Sequence, residues 1–212
     1  MCGRFTLGQS NKEIESHLEQ AFQISASSIE TIYPRYNIAP GQKIVSIIHD
    51  GHGFRAGELE WGFTPMQADM KPLINARAET LLQKPTFKQS FASKRCIILC
   101  DGYYEWQTLD SGKQPYYIQP GSKFGYMAGI YTSAVGSDGR KKHTAAIITT
   151  AANPLLSSIH HRMPLFIPES MVGIWLTIEP SLANQQQSFT LTPVSTLVNS
   201  IRNDSIDCIT PM

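Results

Sequence analysis

Phe124-Gly-Tyr-Met-Ala-Gly-Ile-Tyr131 and Thr144-Ala-Ala-Ile-Ile-Thr-Thr150 decide the fold. Both are short apolar runs rich in aromatic or β-branched residues, and Ser137-Asp-Gly139 between them has the composition of a hairpin turn. The same pattern extends in both directions. Ile44 to Ile48, Leu59 to Phe63, Cys96 to Leu99, Tyr116 to Gln119 and Phe189 to Val194 read as further strands, with Asp110-Ser-Gly112 and Pro120-Gly-Ser122 as further hairpin turns. Helices are few. Asn11 to Phe22 carries Ile14, Leu18 and Phe22 at four-residue spacing, with Asn11 in the N-cap position. A second helix is expected to start at Pro168 and run through Ile174 and Trp175. A third is expected over Ser181 to Gln187, where Gln185-Gln-Gln187 reads as a solvated face. Strands outnumber helices and are not interleaved with them one for one. The expected class is α+β, mainly antiparallel β with a few peripheral helices, and not a doubly wound parallel sheet.

The 212 residues are expected to form one domain spanning 1–212. With 42% hydrophobic and 17% charged residues, the composition excludes intrinsic disorder. The 18 Lys and Arg against 17 Asp and Glu leave a formal charge of +1, which excludes a broadly basic nucleic-acid coat. Any such binding must come from a local patch. No apolar run approaches the ~18 residues of a membrane span, so no membrane partner is expected. The opening Met1-Cys2-Gly3-Arg4-Phe5 lacks the basic and apolar regions of a secretory signal. A cytoplasmic protein is expected, nucleoid-associated if bacterial. Cys2, Cys96, Cys100 and Cys208 then read as reduced thiols. Cys96-Ile-Ile-Leu-Cys100 lacks the Cys-x2-Cys spacing of zinc sites, so no metal is expected. Neither a phosphate-binding Gly-rich loop nor a Gly-x-Ser-x-Gly elbow is present, and no cofactor is expected.

Cys2 follows an initiator Met that is expected to be removed, because the cysteine side chain is small. Residue 2 then carries an α-amine and a β-thiol on adjacent carbons. An α-amine has a pKa of about 7.7–8.0, so a sizeable neutral fraction exists near pH 7.5, where a lysine is almost wholly protonated. Such an amine attacks aldehydes to give a carbinolamine and then an imine. The neighbouring thiol can close on the imine carbon, forming a five-membered thiazolidine. An internal cysteine cannot do this, because its nitrogen is an amide. Chance explains many second-position cysteines, and N-terminal-nucleophile amidohydrolases also begin at a processed cysteine.

Four polar groups accompany it. In Asn75-Ala-Arg77-Ala-Glu79-Thr80, Asn75 and Arg77 share one face of an extended segment. In Asp101-Gly-Tyr-Tyr-Glu105-Trp106, a carboxylate flanked by Tyr104 and Trp106 is partly desolvated, which raises its pKa toward that of a general acid. Ser158-Ile-His160-His161-Arg162-Met-Pro164 offers a proton-shuttling imidazole and a planar fork suited to phosphate. Arg35-Tyr36-Asn37-Ile-Ala-Pro40-Gly41 combines an arginine and an aromatic with turn residues. Each also has a bland reading as solvated loop or hairpin surface.

Taken together with Met1-Cys-Gly-Arg-Phe5, Trp61-Gly62 and Lys113-Gln-Pro115, these motifs resemble the SOS response-associated peptidase (SRAP) family, proteins that shield abasic DNA sites. The likeness covers nearly the whole chain. It implies a barrel-like sheet core, a positively charged cleft and a covalent thiazolidine between the processed Cys2 and the ring-opened abasic deoxyribose. The implied catalytic set is Cys2, Asn75, Glu105 and His160. Arg4, Asn37, Arg77, Trp106 and Arg162 fall at the implied DNA contacts. The implied partner is single-stranded DNA containing abasic sites, and one site per chain requires no second copy, so a monomer is expected. The family's tryptophan after the Trp-Gly-x-x-Pro stretch is missing here, because Trp61-Gly-Phe-Thr-Pro65 continues as Met66-Gln67. Phe63 or Met66 is the candidate substitute. The rival readings are an N-terminal-nucleophile autopeptidase or amidohydrolase and a noncatalytic single-strand binder.

Overall fold

The computed structural model describes residues 2–25, 28–64, 71–135, 141–178 and 188–212. In chain order the strands are β1 (Phe5–Leu7), β2 (Arg35–Ile38), β3 (Lys43–His49), β4 (Phe54–Trp61), β5 (Asn75–Arg77) and β6 (Arg95–Cys100). They continue as β7 (Gly102–Leu109), β8 (Gly112–Pro120), β9 (Gly125–Val135), β10 (Lys141–Ala151), β11 (Arg162–Pro164) and β12 (Phe189–Pro193). The helices are α1 (Asn11–Phe22), α2 (Pro85–Ser93) and α3 (Val172–Thr177). The mostly β, α+β class expected from the sequence is the class observed.

Strands β10, β4, β3, β6 and β9 pair in that order, and β9 pairs back onto β10, closing a barrel. A ring with an odd number of strands cannot be antiparallel at every seam. The unavoidable parallel seam lies between β10 and β4, where Thr144 faces Glu60 and Ala145 faces Trp61. Strand β10 outruns its barrel partners. Its far half takes β5 in parallel, Ile147 facing Asn75, and β11 antiparallel, Ala151 facing Arg162. The second sheet, β12-β8-β7-β1-β2, is antiparallel throughout.

Asp101 alone links β6 of the barrel to β7 of the second sheet. Its carboxylate accepts from Thr6 Oγ1 at 2.5 Å and from Gly8 N at 2.6 Å, pinning β1 to the crossing. Gly102 follows because a Cβ there would lie 2.3 Å from the Tyr117 ring. The core fills the space between the two sheets, with Phe5 and Trp61 in contact at 5.2 Å and Tyr103 and Phe166 at 6.0 Å. Each such fully buried large side chain contributes roughly 1.5–3 kcal/mol relative to exposure.

Helix α1 has the expected bounds, but its cap is Ser10, not Asn11. Ser10 forms a capping box with Glu13, while the Asn11 side chain bonds Thr31 O and Tyr33 N outside the helix. Pro120-Gly-Ser122 is not a hairpin turn, since β8 pairs with β7 and β12 while β9 belongs to the barrel. The Asp110-Ser111 turn does join a hairpin, closed by the Leu109 and Gly112 pair. Strand β4 begins at Phe54, five positions before the expected start at Leu59. The helix expected from Pro168 appears as a 3-10 turn, Glu169–Met171, running into α3. The expected helix over Ser181 to Gln187 and the Ser137-Asp-Gly139 turn lie outside the described residues. Among the described residues no helix is long and apolar enough to cross a membrane.

Candidate functional site at the seam of the two sheets

The start of the chain reaches the seam through β1. Phe5 faces Tyr103 and Thr6 faces Gly102 in the antiparallel register, and Tyr104 N donates to Arg4 O at 3.0 Å. Continuing that register two residues backward brings the Cys2-Gly3 segment opposite Glu105. On the other side, Asn75 at the head of β5 donates from Nδ2 to the Cys2 carbonyl oxygen at 2.8 Å. Residue 2 is therefore held between β5, the short strand paired to the far half of β10, and β7 of the second sheet.

Cys2 is fully buried, and its Sγ lies 4.0 Å from Arg4 O. Burial, and next the nearby Glu105 charge, push the thiol well above the ordinary thiol range. Glu105 is 4% exposed, and burial raises its carboxyl above the ordinary value. Its Oε1 stands 3.9 Å from His160 Nδ1. That ring nitrogen lies 3.0 Å from Arg162 N and 3.1 Å from Arg162 O. A backbone N–H can only donate, so neutral His160 accepts at Nδ1 and carries its proton on Nε2. The imidazolium instead offers Nδ1–H to Arg162 O or to Glu105. Burial lowers the His160 pKa and favours the neutral form. His161 stacks on His160 at 4.4 Å and is exposed.

Two buried polar atoms near this cluster lack a partner among the described residues, Asn75 Oδ1 and the Tyr103 hydroxyl. Leaving such a group unsatisfied costs about 1–3 kcal/mol. Outside them an open groove of about 440 Å³ is lined by Glu105, Trp106, Lys113, His160 and Asn199. Trp106 Nε1 donates to Asn199 Oδ1 at 2.7 Å, which fixes the indole at the groove wall. Gln107 donates to Ser158 O at 3.0 Å and ties β7 to the segment leading to His160.

Cys2, Asn75, Glu105 and His160 thus come together. The five expected DNA contacts divide. Arg77 is exposed and Trp106 lines the groove. Asn37 is fully buried, donating to Val198 O, Ser200 O and Asn203 O and accepting from Arg4 Nη1 at 2.7 Å. Arg4 also donates to Val198 O at 2.7 Å. Arg162 is 8% exposed; its fork grips Glu79 at 2.6 and 3.0 Å, and Nη2 also donates to Thr149 O at 2.6 Å. These three side chains point into the protein. Phe63 is 2% exposed and packs edge-on against Phe87, so it offers no free face to a base, and Met66 lies outside the described residues. Sequence reading assigned no role to Lys113, Asn199 or Tyr103. The Leu109 and Gly112 turn pair sets a register in which Lys113 faces Thr108, a signal available once the hairpin is recognised.

Residues 1–201 match the family described as SOS response associated peptidase (SRAP). The abasic site processing protein YoqW of Bacillus subtilis (strain 168) is 40% identical over 228 residues, covering 99% of each chain. The abasic site processing protein YedK of Escherichia coli (strain K12) is 29% identical with full coverage of both, 100% and 100%. A crystal structure of a protein from Bacteroides thetaiotaomicron superposes with a TM-score of 0.83 over 100% of both chains at 22% identity, which establishes the shared fold. The chain belongs to the SOS response associated peptidase family.

Proposed function

We propose that the protein processes abasic sites in single-stranded DNA by capturing the ring-opened deoxyribose on Cys2 as a thiazolidine. The observation that carries this reading is the Asn75 hydrogen bond to the Cys2 carbonyl at 2.8 Å, which holds residue 2 beside a buried carboxyl. The names of the relatives point to the same lesion.

After removal of Met1, the neutral Cys2 amine adds to the sugar aldehyde, and the carbonyl oxygen takes up a proton. Glu105, whose carboxyl pKa burial raises above its ordinary value, donates that proton and takes one back from the nitrogen. It passes this proton to the hydroxyl, which leaves as water, and the last nitrogen proton returns to Glu105. The Cys2 sulfur then bonds to the imine carbon, and its proton passes to the nitrogen, so sugar and protein join with loss of one water. His160 moves the proton at the imine stage and serves reversal. Exposed Arg77 and Lys113 neutralise backbone phosphates, and Trp106 offers an aromatic face beside the carboxyl. A thiol held well above its ordinary pKa is a poor thiolate, which favours attack by the amine over the direct thioester chemistry of an amidohydrolase.

The test is incubation with an abasic single-stranded oligonucleotide, read on a denaturing gel and by intact mass. A heat-stable adduct lighter by one water than its two components is expected. A variant carrying an uncleaved extension before Cys2 gives none. Release of ammonia from glutamine with no adduct overturns the proposal in favour of an amidohydrolase.

A further inference from the structure

Tyr103 carries a hydroxyl that the mechanism above leaves unused. Its side chain has no accessible surface, and the hydroxyl meets no donor or acceptor among the described residues. Tyr103 and Glu105 are two apart on β7 and so project from the same face of the strand. Across the β1 pairing, Tyr103 faces Phe5, three residues after Cys2. Tyr104, by contrast, spends its hydroxyl on Tyr36 O at 2.7 Å. Burial keeps the Tyr103 phenol protonated far above neutrality, and Cys2, Glu105 and Cys100 are the titratable groups close enough to act on it.

A buried phenol that stays protonated and has no acceptor is poised to donate to an oxygen that arrives with the substrate. We propose that Tyr103 is a further catalytic residue, donating a hydrogen bond to the former carbonyl oxygen of the sugar as the Cys2 amine adds and that oxygen becomes a hydroxyl. The inference rests on the abasic-site reading of the same pocket. No proton leaves Tyr103. Glu105 supplies the proton, the oxygen departs as water when the imine forms, and with it the phenol returns to its unpaired state before the thiazolidine closes. The bond is made in the carbinolamine and its flanking transition states and is absent in the free protein, so it lowers the barrier without tightening ground-state binding.

Tyr103→Phe removes one oxygen atom and keeps the ring packed against Phe166. In single-turnover crosslinking to an abasic oligonucleotide, the variant is expected to react about 10- to 100-fold more slowly than the wild type. Its noncovalent affinity for the same oligonucleotide lacking the lesion is unchanged, and its melting temperature is equal or higher, because an unsatisfied buried hydroxyl has gone. Borohydride-trapped imine falls in step with the final adduct, since the step that is slowed precedes imine formation. A wild-type crosslinking rate in the variant overturns the role of Tyr103 while leaving the abasic-site reading intact. A lower melting temperature also overturns it, for it means that the hydroxyl already has a partner. Absence of crosslinking by the wild-type protein overturns the abasic-site reading and this inference together.

Discussion

The Asn75 amide holds the Cys2 carbonyl at 2.8 Å, and Asn75 is itself held by the parallel pairing of β5 with β10. Its Oδ1 is buried and has no partner among the described residues. The side chain therefore sets the position of the residue-2 backbone and keeps an acceptor free beside it. Replacing Asn75 by Ala releases both. Crosslinking is expected to slow about 10- to 100-fold, because losing position at a nucleophile costs rate even where binding survives. Affinity for undamaged single strands stays within about twofold, since no phosphate contact has been removed. Single-turnover gels and fluorescence anisotropy on the same variant separate the two effects.

The pH profile should be a bell. The Cys2 amine attacks only when neutral, so the rate climbs with pH until its pKa of about 8 is passed. Glu105 acts as an acid only while protonated, and burial raises its pKa, so its contribution is lost as pH rises through that raised value. Glu105→Gln has no proton to give or take. It is expected to run about 100-fold slower at the optimum and to lose the alkaline limb, keeping only the rise that belongs to the amine. An unchanged alkaline limb in that variant removes Glu105 from the proton transfers.

In the unbound protein Arg162 is an internal ion-pair partner. Its buried guanidinium is gripped by both oxygens of Glu79 and by Thr149, and the Arg162 hydrogen bond holds the Glu79 carboxyl below its ordinary pKa. A depressed folded-state pKa adds stability above the unfolded value of about 4.3 and loses it as pH falls through the folded one. Glu79 is 49% exposed, so solvent screens the pair and the contribution is modest. Glu79→Gln is expected to cost about 1–2 kcal/mol at neutral pH and to flatten the acid side of the stability curve. Denaturant titrations at pH 7 and at pH 3.5 on both proteins read the difference.

Much of this architecture was legible because it is local. The four-residue spacing of Ile14, Leu18 and Phe22 gave α1 its bounds, and the long runs around Ile130 and Ile147 became β9 and β10. What escaped was tertiary. Strands β1, β5 and β11 are three residues each, too short for alternation to register, and they exist because a longer strand supplies the partner. Helix α2 carries just Phe87, Ser90 and Phe91 inward, a face too small to stand out. The resemblance named Cys2, Asn75, Glu105 and His160 as one set, and the fold brings the four together through β1, β5, β7 and the segment before β11. The orientation of Arg4, Asn37 and Arg162 was not legible, since charged and amide side chains are mostly found outside and only packing reveals an inward turn. Asn37 ties down the segment around Val198 and Asn203, a role that no short-range pattern encodes.

That inward turn changes the expected salt response. Were Arg4, Arg77 and Arg162 all on phosphates together with Lys113, about four contacts would give a log–log slope of roughly −3 for a single strand. Arg4 is occupied by Asn37 and Val198, and Arg162 by Glu79 and Thr149, which leaves Arg77 and Lys113 as exposed cations flanking the site. Two contacts give a slope near about −1.4, and Arg77→Ala or Lys113→Ala should each remove roughly 0.7 of it. Noncovalent affinity for an undamaged oligonucleotide, measured by anisotropy across a salt series, reads this directly. A wild-type slope near −3 means that Arg4 and Arg162 abandon their internal partners when DNA binds. In that case Arg162→Ala lowers the slope, an effect absent if the fork stays on Glu79.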